Sequence, residues 1–493
     1  MEKIELIKAS YNELPYISKG FSHTLPERQK AVLALLGFEA PDIQHANVLE
    51  IGCGFGGNLI CSALLHTDAH FTGVDLSEKQ IEGGKQIIQQ LGLNNVTLHC
   101  QDISFFENTS TKFDYIICHG VFSWVPESVR IKILALIQSH LAENGAATIS
   151  YNTYPGWKSL EVLKDIMTFR VNQLEKNQLA LPALEKVAYG KGTAAFFAEH
   201  LLGNSALKEI AEGVESKDEH YLYHEYFEEY NQPFYLHEFD DLLAQYGLAH
   251  ICDSTVGATF PIFKNDEIIE KLDIECGDNH LHKEQYYDYL LDRQFRTSIV
   301  THRANKEKCN ISRTIKTAHM DKLYIRVNLG NDATSKVVMK LKEIYPQTIK
   351  VSAFIDRYFA DAQEEGYSSI LLEIYNQHID FYARPFEIKK TEKLKLKAVY
   401  RHYLEYYLFA DKPMVSLSNF IGNTLQLSRT EIRTLLLFDG MRTDDEIAQY
   451  LREKIEEGVF SVGKNDEHED RLQLVRNFVK DMRVFIEANL MND

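Results

Sequence analysis

The first part of the chain alternates between short apolar runs and longer segments with apolar residues at helical spacing. The apolar runs at 47–51, 70–77, 95–103, 113–120 and 146–152 predict five strands. The segments between them predict helices, including one that follows the fourth strand over 129–145 and stops at Gly145. Strands that alternate with helices at this spacing predict a doubly wound, Rossmann-like α/β fold with a mostly parallel sheet.

A glycine-rich turn, VLEIGCGFGGN (48–58), joins the first strand to its helix. It fits two patterns that hold different ligands. Gly52, Gly54 and Gly57 fit G-x-G-x-x-G, which is typical of dinucleotide-binding enzymes. Glu50 with Gly52, Gly54 and Gly56 fits E-x-G-x-G-x-G, the turn of enzymes that hold S-adenosylmethionine. The glycines alone do not decide between the two.

Three acidic residues near strand ends distinguish between the two candidate ligands. Asp75, which lies 19 residues beyond Gly56, would accept the ribose hydroxyls of either one. Glu50 favours the methionine ammonium of S-adenosylmethionine and would repel a pyrophosphate. Asp102 would accept from the adenine amino group while Ile103 packs on the ring. The alternative for an aspartate at a strand end is a helix N-cap.

The end of the predicted sheet also discriminates between the ligands. Residues 233–254 predict a helix and then a strand, and 293–303 predict another strand. An antiparallel strand that returns into the sheet closes class I methyltransferases, whereas a dinucleotide-binding domain ends on a parallel strand. We therefore expect a seven-stranded sheet that holds S-adenosylmethionine and leaves S-adenosylhomocysteine as product, rather than a nicotinamide cofactor.

The chain resembles class I methyltransferases with a methyltransferase regulatory domain, a family that includes rickettsial protein-lysine methyltransferases of outer-membrane proteins. The resemblance is dense to about residue 303 and rests on segments 11–28, 48–60, 73–81, 119–130, 150–157, 221–239 and 285–296. It implies a methyltransferase, with protein lysine as the leading acceptor, a homodimer, and an N-terminal segment that covers the cofactor. The residues expected to contact the cofactor are Tyr16, Glu50, Gly52, Gly54, Gly56, Asn58, Asp75, Leu76, Asp102, Ile103 and His119.

The loops after the fourth and fifth strands would face the transferred methyl group. Tyr151 or Asn152 could orient the acceptor amine through an oxygen atom. The substrate-channel residues predicted there are Trp124, Tyr154 and Trp157, which include both tryptophans of the chain. Aromatic faces attract methylated ammonium groups. The alternative is that these rings wedge the loops against the sheet. His119 is expected to pack against the cofactor and is not assigned as a base.

The remaining segments suggest further domains. We predict a catalytic domain over 1–303, with a cap or dimerisation insertion at 158–230 and a second insertion at 255–292. A middle, regulatory domain is predicted over 304–386, and an α+β, winged-helix-like domain over 387–493. Thr443 and Glu446 there form a predicted capping box. These extra domains favour a large substrate.

Composition narrows the class of protein. The net charge of −18 argues against a nucleic-acid partner. Seven scattered cysteines fit neither a disulfide framework nor a metal site, and no apolar run resembles a signal peptide or a membrane span. We therefore expect a cytoplasmic protein without metal or membrane insertion. The alternative functions are methylation of a small molecule and a cofactor-binding regulator or scaffold without catalysis.

Overall fold

The computed structural model describes most of the chain. The described residues are 17–103, 111–176, 181–203, 205–265, 267–330, 332–386, 388, 391–410, 413–458 and 471–490. Tyr16, one of the predicted cofactor contacts, lies outside these ranges.

A seven-stranded sheet organises the described part of the first 303 residues. Its strands are β1 (Asn47–Ile51), β2 (His70–Asp75), β3 (Val96–Cys100), β4 (Phe113–Cys118), β5 (Leu141–Asn152), β6 (Leu248–Asp253) and β7 (Phe295–His302). Their order is β3-β2-β1-β4-β5-β7-β6. The first five strands run parallel, and β7 lies antiparallel between β5 and β6. The predicted methyltransferase fold and its reversed closing strand are confirmed.

Helices cover both faces of the sheet. They are α1 (Pro26–Leu35), α2 (Gly57–Leu65), α3 (Glu78–Leu91) and α4 (Glu127–His140). The predicted helix over 129–145 is wrong at its end, because β5 already begins at Leu141. Leu141 pairs with Phe113, and the register then shifts so that Tyr115 pairs with Ala146. Leu141 is buried at this irregular start of the strand. Its apolar side chain also fits the helical spacing of the preceding residues, so the sequence pattern did not show where the helix ends.

Four helices form an insertion after β5. They are α5 (Trp157–Lys176), α6 (Ala183–His200), α7 (Ser205–Gly213) and α8 (Glu219–Tyr226). They share a small core of their own, which includes Leu163, Met167, Val187 and Leu222. The chain then returns to the sheet through α9 (Leu236–Ala244) and β6. This insertion therefore packs as a separate layer.

A second insertion holds β7 in place. It contains α10 (Val256–Thr259), α11 (Glu267–Cys276) and α12 (His280–Leu290). Arg296 of β7 is fully buried and donates to both carboxylate oxygens of Asp288 at 2.8 Å and to Glu284 at 3.0 Å. If α12 moved away from β7, the buried Arg296 charge would lose its carboxylate partners, which is costly. The cluster therefore holds α12 against β7.

The remaining described residues form a small sheet and a helical C-terminal part. The first group contains α13 (Thr317–Met320), β8 (Tyr324–Val327), α14 (Lys336–Ile344), β9 (Ile349–Lys350), α15 (Val351–Tyr358), α16 (Gln363–Tyr375) and β10 (Ile379–Tyr382). The second contains α17 (Ala398–Phe409), α18 (Arg429–Leu435), α19 (Asp444–Glu456) and α20 (Arg471–Asn489). The predicted capping box at Thr443 and Glu446 is confirmed. The domain boundaries and the winged-helix interpretation stay predictions.

Within the described residues, we find no helix whose length and apolar character would allow it to cross a bilayer.

Candidate functional site

A cavity of about 1440 Å³ lies at the carboxyl ends of the parallel strands. Ligands of open α/β sheets bind at this edge. Its walls combine segments that are far apart in sequence. The lining residues come from 17–21, 50–58, 74–80, 101–103, 119–129, 152–160, 209–226, 294–295 and 416–426.

The glycine turn adopts the backbone that the methyltransferase pattern requires. Gly52, Gly54 and Gly56 have φ angles of 73°, 55° and 80°, in the left-handed region that side chains disfavour. These are the three glycines of E-x-G-x-G-x-G. Gly57 is constrained differently, because a Cβ atom there would lie 2.7 Å from the carbonyl carbon of Ser18. Gly52 and Gly54 line the cavity, whereas Gly56 faces Leu98 behind it.

Glu50 places a carboxylate in the floor of the cavity. Its side chain is 4% exposed, and Oε1 accepts a hydrogen bond from Asn58 Nδ2 at 2.9 Å. Oε2 is buried and has no hydrogen-bond partner among the described residues. Burial raises the pKa of Glu50 to about 8, against the lowering effect of the Asn58 hydrogen bond. A buried carboxylate oxygen of this kind fits a cationic ligand group, such as the ammonium of S-adenosylmethionine.

Asp75 connects the glycine turn to the end of β2. Oδ2 accepts from the Gly54 amide at 2.9 Å, and Oδ1 accepts from the Ser77 amide at 2.8 Å. Burial raises the pKa of Asp75, although these amide hydrogen bonds oppose the shift. Each oxygen keeps lone-pair capacity for a ribose hydroxyl. The other predicted contacts on this wall, Leu76, Asp102 and Ile103, also line the cavity. The side chains present therefore fit S-adenosylmethionine.

The N-terminal segment closes one side of this wall. Ser18 Oγ accepts from the Gly57 amide at 2.9 Å, and the Phe21 amide donates to Asn58 Oδ1 at 2.9 Å. The backbone of Ser18 also pairs with the C-terminal part, donating to Met414 at 2.9 Å and accepting from Ser416 at 2.8 Å. Beside these contacts, the Gly20 amide donates to the side chain of Ser418, which lies 398 positions further along the chain.

His119 lies between aromatic side chains at the same wall. Its ring centroid is 4.2 Å from that of Phe21 and 5.1 Å from that of His23. Burial, assisted by the neighbouring His23 and Lys19, lowers the pKa of His119 to about 3. The imidazole is therefore neutral at physiological pH, and it lines the cavity as a packing surface.

The opposite wall holds three of the residues predicted for the acceptor. Trp124 and Trp157 meet edge to face with ring centroids 6.1 Å apart, and both line the cavity. Asn152 also lines it and donates to the side chain of Asn231 at 2.8 Å. This hydrogen bond fixes the orientation of the amide at the end of β5.

Two further acceptor predictions are corrected by the structure. Tyr151 is 1% exposed, stacks on Phe239 at 4.1 Å and shares a hydrogen bond with Ser298. Successive strand residues point to opposite faces, so Asn152 reaches the cavity and Tyr151 enters the core. Tyr154 likewise does not line the cavity. Its hydroxyl donates to Glu161 at 2.5 Å instead.

The sequence predicts a cap or dimerisation element over 158–230 but not which of its residues line the cavity. Tyr221 and Glu225 of α8 and Glu209 of α7 line the cavity, as do Ser416 and Gln426 of the C-terminal part. Aromatic and acidic residues do alternate in 219–230 (EHYLYHEYFEEY), but the sequence does not show which wall this helix faces.

Comparison with known proteins decides the family. Residues 43–219 match the family described as "Methyltransferase domain", and residues 218–302 match "Predicted methyltransferase regulatory domain". The uncharacterized protein RP028 of Rickettsia prowazekii is 36% identical over 237 residues, which cover 47% of this chain and 92% of RP028. This chain belongs to the S-adenosylmethionine-dependent methyltransferases that carry this regulatory domain.

Two further proteins extend the comparison. The uncharacterized protein RP789 of Rickettsia prowazekii is 34% identical over 307 residues, and the match spans 61% of this chain and 54% of RP789. The solved structure of PKMT2 from Rickettsia typhi in complex with AdoHcy is similar over 97% of this chain and all of that chain, with a TM-score of 0.81 and 25% identity. The fold of PKMT2 is therefore shared well beyond the catalytic sheet.

S-adenosylmethionine supplies a methyl group activated by a positively charged sulfur. The protein itself must bind this donor, align an acceptor with it and keep that acceptor unprotonated. Glu50, Asp75 and the glycine turn would hold the donor, and Trp124, Asn152 and Trp157 face the space that remains.

Proposed function

We propose that this methyltransferase methylates lysine side chains of protein substrates. The observation that carries the proposal is that one cavity joins an acidic donor wall to an aromatic and acidic wall. Its volume of about 1440 Å³ exceeds the roughly 300–1,000 Å³ of common small-ligand sites, which leaves room for a second substrate. The structural similarity to PKMT2 over nearly the whole chain supports the same substrate class.

Lysine methylation requires a neutral amine. With a pKa near 10.4, only about one lysine in a few thousand is neutral at pH 7, which opposes the reaction by roughly 4–5 kcal/mol. Desolvation in an apolar channel lowers the pKa of an amine, and an adjacent carboxylate can take its proton. Trp124 and Trp157 supply the apolar part of such a channel, and the wall also carries Glu209 and Glu225.

The proposal includes a cytoplasmic homodimer. Large apolar side chains are exposed on the insertion, among them Phe169 on α5 (66% exposed) and Phe196 on α6 (59% exposed). Burial of these side chains against a second copy would remove apolar area from water. None of the seven cysteines forms a disulfide, which suits a reducing compartment. Light scattering should give twice the chain mass, and F169D with F196D should give monomers.

The function is tested with methyl-tritiated S-adenosylmethionine and a host lysate separated into envelope, soluble-protein and small-molecule fractions. We expect label in protein that is recovered as methyl-lysine after acid hydrolysis, and no label with Asp75→Ala. Label confined to small molecules would instead establish a small-molecule methyltransferase. Binding of the donor without labelling of any fraction would indicate a regulator or scaffold.

A further inference from the structure

Helix α8 presents two different faces. Leu222 and Tyr223 pack in the core of the insertion, and Tyr226 contacts both that core and the cavity. Tyr221 and Glu225, four residues apart and hence on one face, line the cavity. The helix begins at Asp218, whose carboxylate caps it by accepting from the amides of His220 and Tyr221. Capping at one end and core packing along one face hold Glu225 toward the cavity.

The segment after α8 ties the helix to the acceptor loops. Asn231 accepts from the side chain of Asn152 at 2.8 Å, and the Gln232 amide donates to the Ser123 carbonyl at 2.8 Å. Thr153 then pairs with Phe234 as an isolated β-bridge. Asn231, which bonds Asn152, follows Glu225 by only six residues along the chain. These contacts with the loops after β4 and β5 therefore fix the position of the helix.

Several charged and titratable groups face Glu225. Tyr221 and Tyr226 are on the same helix, Lys217 precedes it, and Lys164 comes from α5. Lys164 Nζ donates to the backbone carbonyl of Glu228 at 2.8 Å. Among the described residues, neither lysine nitrogen lies within ion-pair distance (4.0 Å) of the Glu225 carboxylate, although both act on it from further away.

The Glu225 carboxylate is thus partly buried and forms no ion pair with either lysine. Burial raises the pKa of Glu225 to about 7, although the Tyr221 hydrogen bond and both lysines oppose the shift. A group that titrates near the working pH suits proton transfer in both directions.

We propose that Glu225 is a catalytic residue of the acceptor site: its carboxylate binds the ammonium of the incoming lysine and takes one of its protons. This inference rests on the proposed function and names the cavity residue that serves it. Tyr221, which lies four residues earlier on the same face of the helix, interacts with this carboxylate and positions it. Trp124 forms the apolar side of the site around the lysine chain, and Trp157 packs against it edge to face.

The proton leaves the lysine before the methyl group arrives. The ammonium transfers one proton to Glu225, which gives a neutral amine and a carboxylic acid. The amine lone pair then forms a carbon–nitrogen bond in line with the breaking carbon–sulfur bond, whose electron pair stays on sulfur. The products are a methylated ammonium and S-adenosylhomocysteine, and Glu225 returns its proton to solvent.

The probe that isolates this site is a nitrogen analogue of S-adenosylhomocysteine with an aminobutyl arm in place of the transferred methyl. Its binding and that of S-adenosylhomocysteine are compared by calorimetry at pH 7 in buffers of different ionisation enthalpy. Because an ammonium beside Glu225 lowers the pKa of that carboxyl, the armed analogue should release about half a proton more than S-adenosylhomocysteine. Glu225→Gln should abolish this difference and weaken the armed analogue about tenfold, a change of roughly 1.4 kcal/mol.

The matched control is Glu219→Gln, an exposed carboxylate on the same helix, which should behave as the wild type. In the labelling reaction, Glu225→Gln should lower kcat/KM about a hundredfold at pH 7. The inference is overturned if Glu225→Gln keeps the proton difference, or if it weakens S-adenosylhomocysteine and the armed analogue equally. If Glu225→Gln abolishes the proton difference as expected but the wild type labels no lysine, the proposed function is wrong, and Glu225 still belongs to a binding site for cationic amines.

Discussion

The two walls of the cavity are built in different ways. The donor wall comes mainly from residues 50–103, where the acidic groups lie at or near the ends of the neighbouring parallel strands β1, β2 and β3. The acceptor wall draws on 124–129, 152–160, 209–226 and 294–295, most of which belong to loops and insertions. A local motif specifies the first wall, whereas tertiary packing assembles the second.

The walls also differ in what fixes their side chains. Asp75 is held by two backbone amides of the turn and helix that it serves. Glu225 is held by a helix whose own position depends on a separate hydrophobic core. Substitutions in the donor wall should therefore affect binding directly, and those in the acceptor wall should affect transfer while binding of S-adenosylhomocysteine persists.

Asp75→Ala should have the largest effect on the donor wall. It removes the acceptor of the Gly54 and Ser77 amides together with the ribose contact. Hydrogen bonds to charged groups contribute about 1.5–3 kcal/mol each, so S-adenosylhomocysteine should bind at least about a hundredfold more weakly by calorimetry. Asp68→Ala, at an exposed position before β2, is the control. A loss of less than fivefold would contradict the role of Asp75.

Gly57→Ala tests the contact between the glycine turn and the N-terminal segment. The new Cβ atom would lie 2.7 Å from Ser18 and 2.8 Å from Lys19 backbone atoms, so that segment must move. We expect a loss of about 1–3 kcal/mol in unfolding free energy, measured by denaturant titration. Gly192→Ala in α6, where a Cβ atom meets nothing within 4 Å, should instead be neutral or stabilising. Equal effects of the two substitutions would refute the contact.

Glu50→Gln separates stability from binding. The pKa of Glu50 is raised from 4.5 to about 8, so the native state binds more protons than the unfolded state between these values. The unfolding free energy of the ligand-free wild type should therefore fall as pH rises from about 5 to 8. Glu50→Gln should reduce this decline and weaken S-adenosylhomocysteine about tenfold, because the buried ammonium loses its counter-charge. Denaturant titrations at pH 5 and pH 8 measure the first effect, and an unchanged slope would count against it.

The two tryptophans should give the smallest and most selective effects. Trp124 is partly exposed to the cavity, whereas Trp157 is 1% exposed. Trp124→Phe should lower methylation of the labelled protein about threefold and leave S-adenosylhomocysteine affinity unchanged, since cation–π attraction at partly exposed sites is about 0.5–1 kcal/mol. Trp157→Phe should mainly lower the unfolding free energy, by about 1–2 kcal/mol. If Trp157→Phe lowered methylation and Trp124→Phe lowered the unfolding free energy, Trp157 and not Trp124 would be the residue that contacts the substrate.

The sequence predicts the donor wall of the cavity better than the acceptor wall. The turn at Gly52, Gly54 and Gly56 could be predicted, because left-handed backbone and strand-to-helix spacing are local properties. Tyr151 was misplaced because which face of β5 points to the cavity depends on strand register. Glu225 was missed because the direction of α8 depends on the packing of four helices and on the hydrogen bonds of 231–234.

The pairing of Ser18 with Met414 and Ser416 has a consequence for how the protein is made. During translation, the glycine turn leaves the ribosome long before residues 414–416, which pair with the N-terminal segment that packs on this turn. A nascent or prematurely terminated chain therefore has the sheet and its acidic groups but lacks part of the cavity wall. The wall of the cavity is complete only after residues 414–426 have been synthesised and have paired with the N-terminal segment.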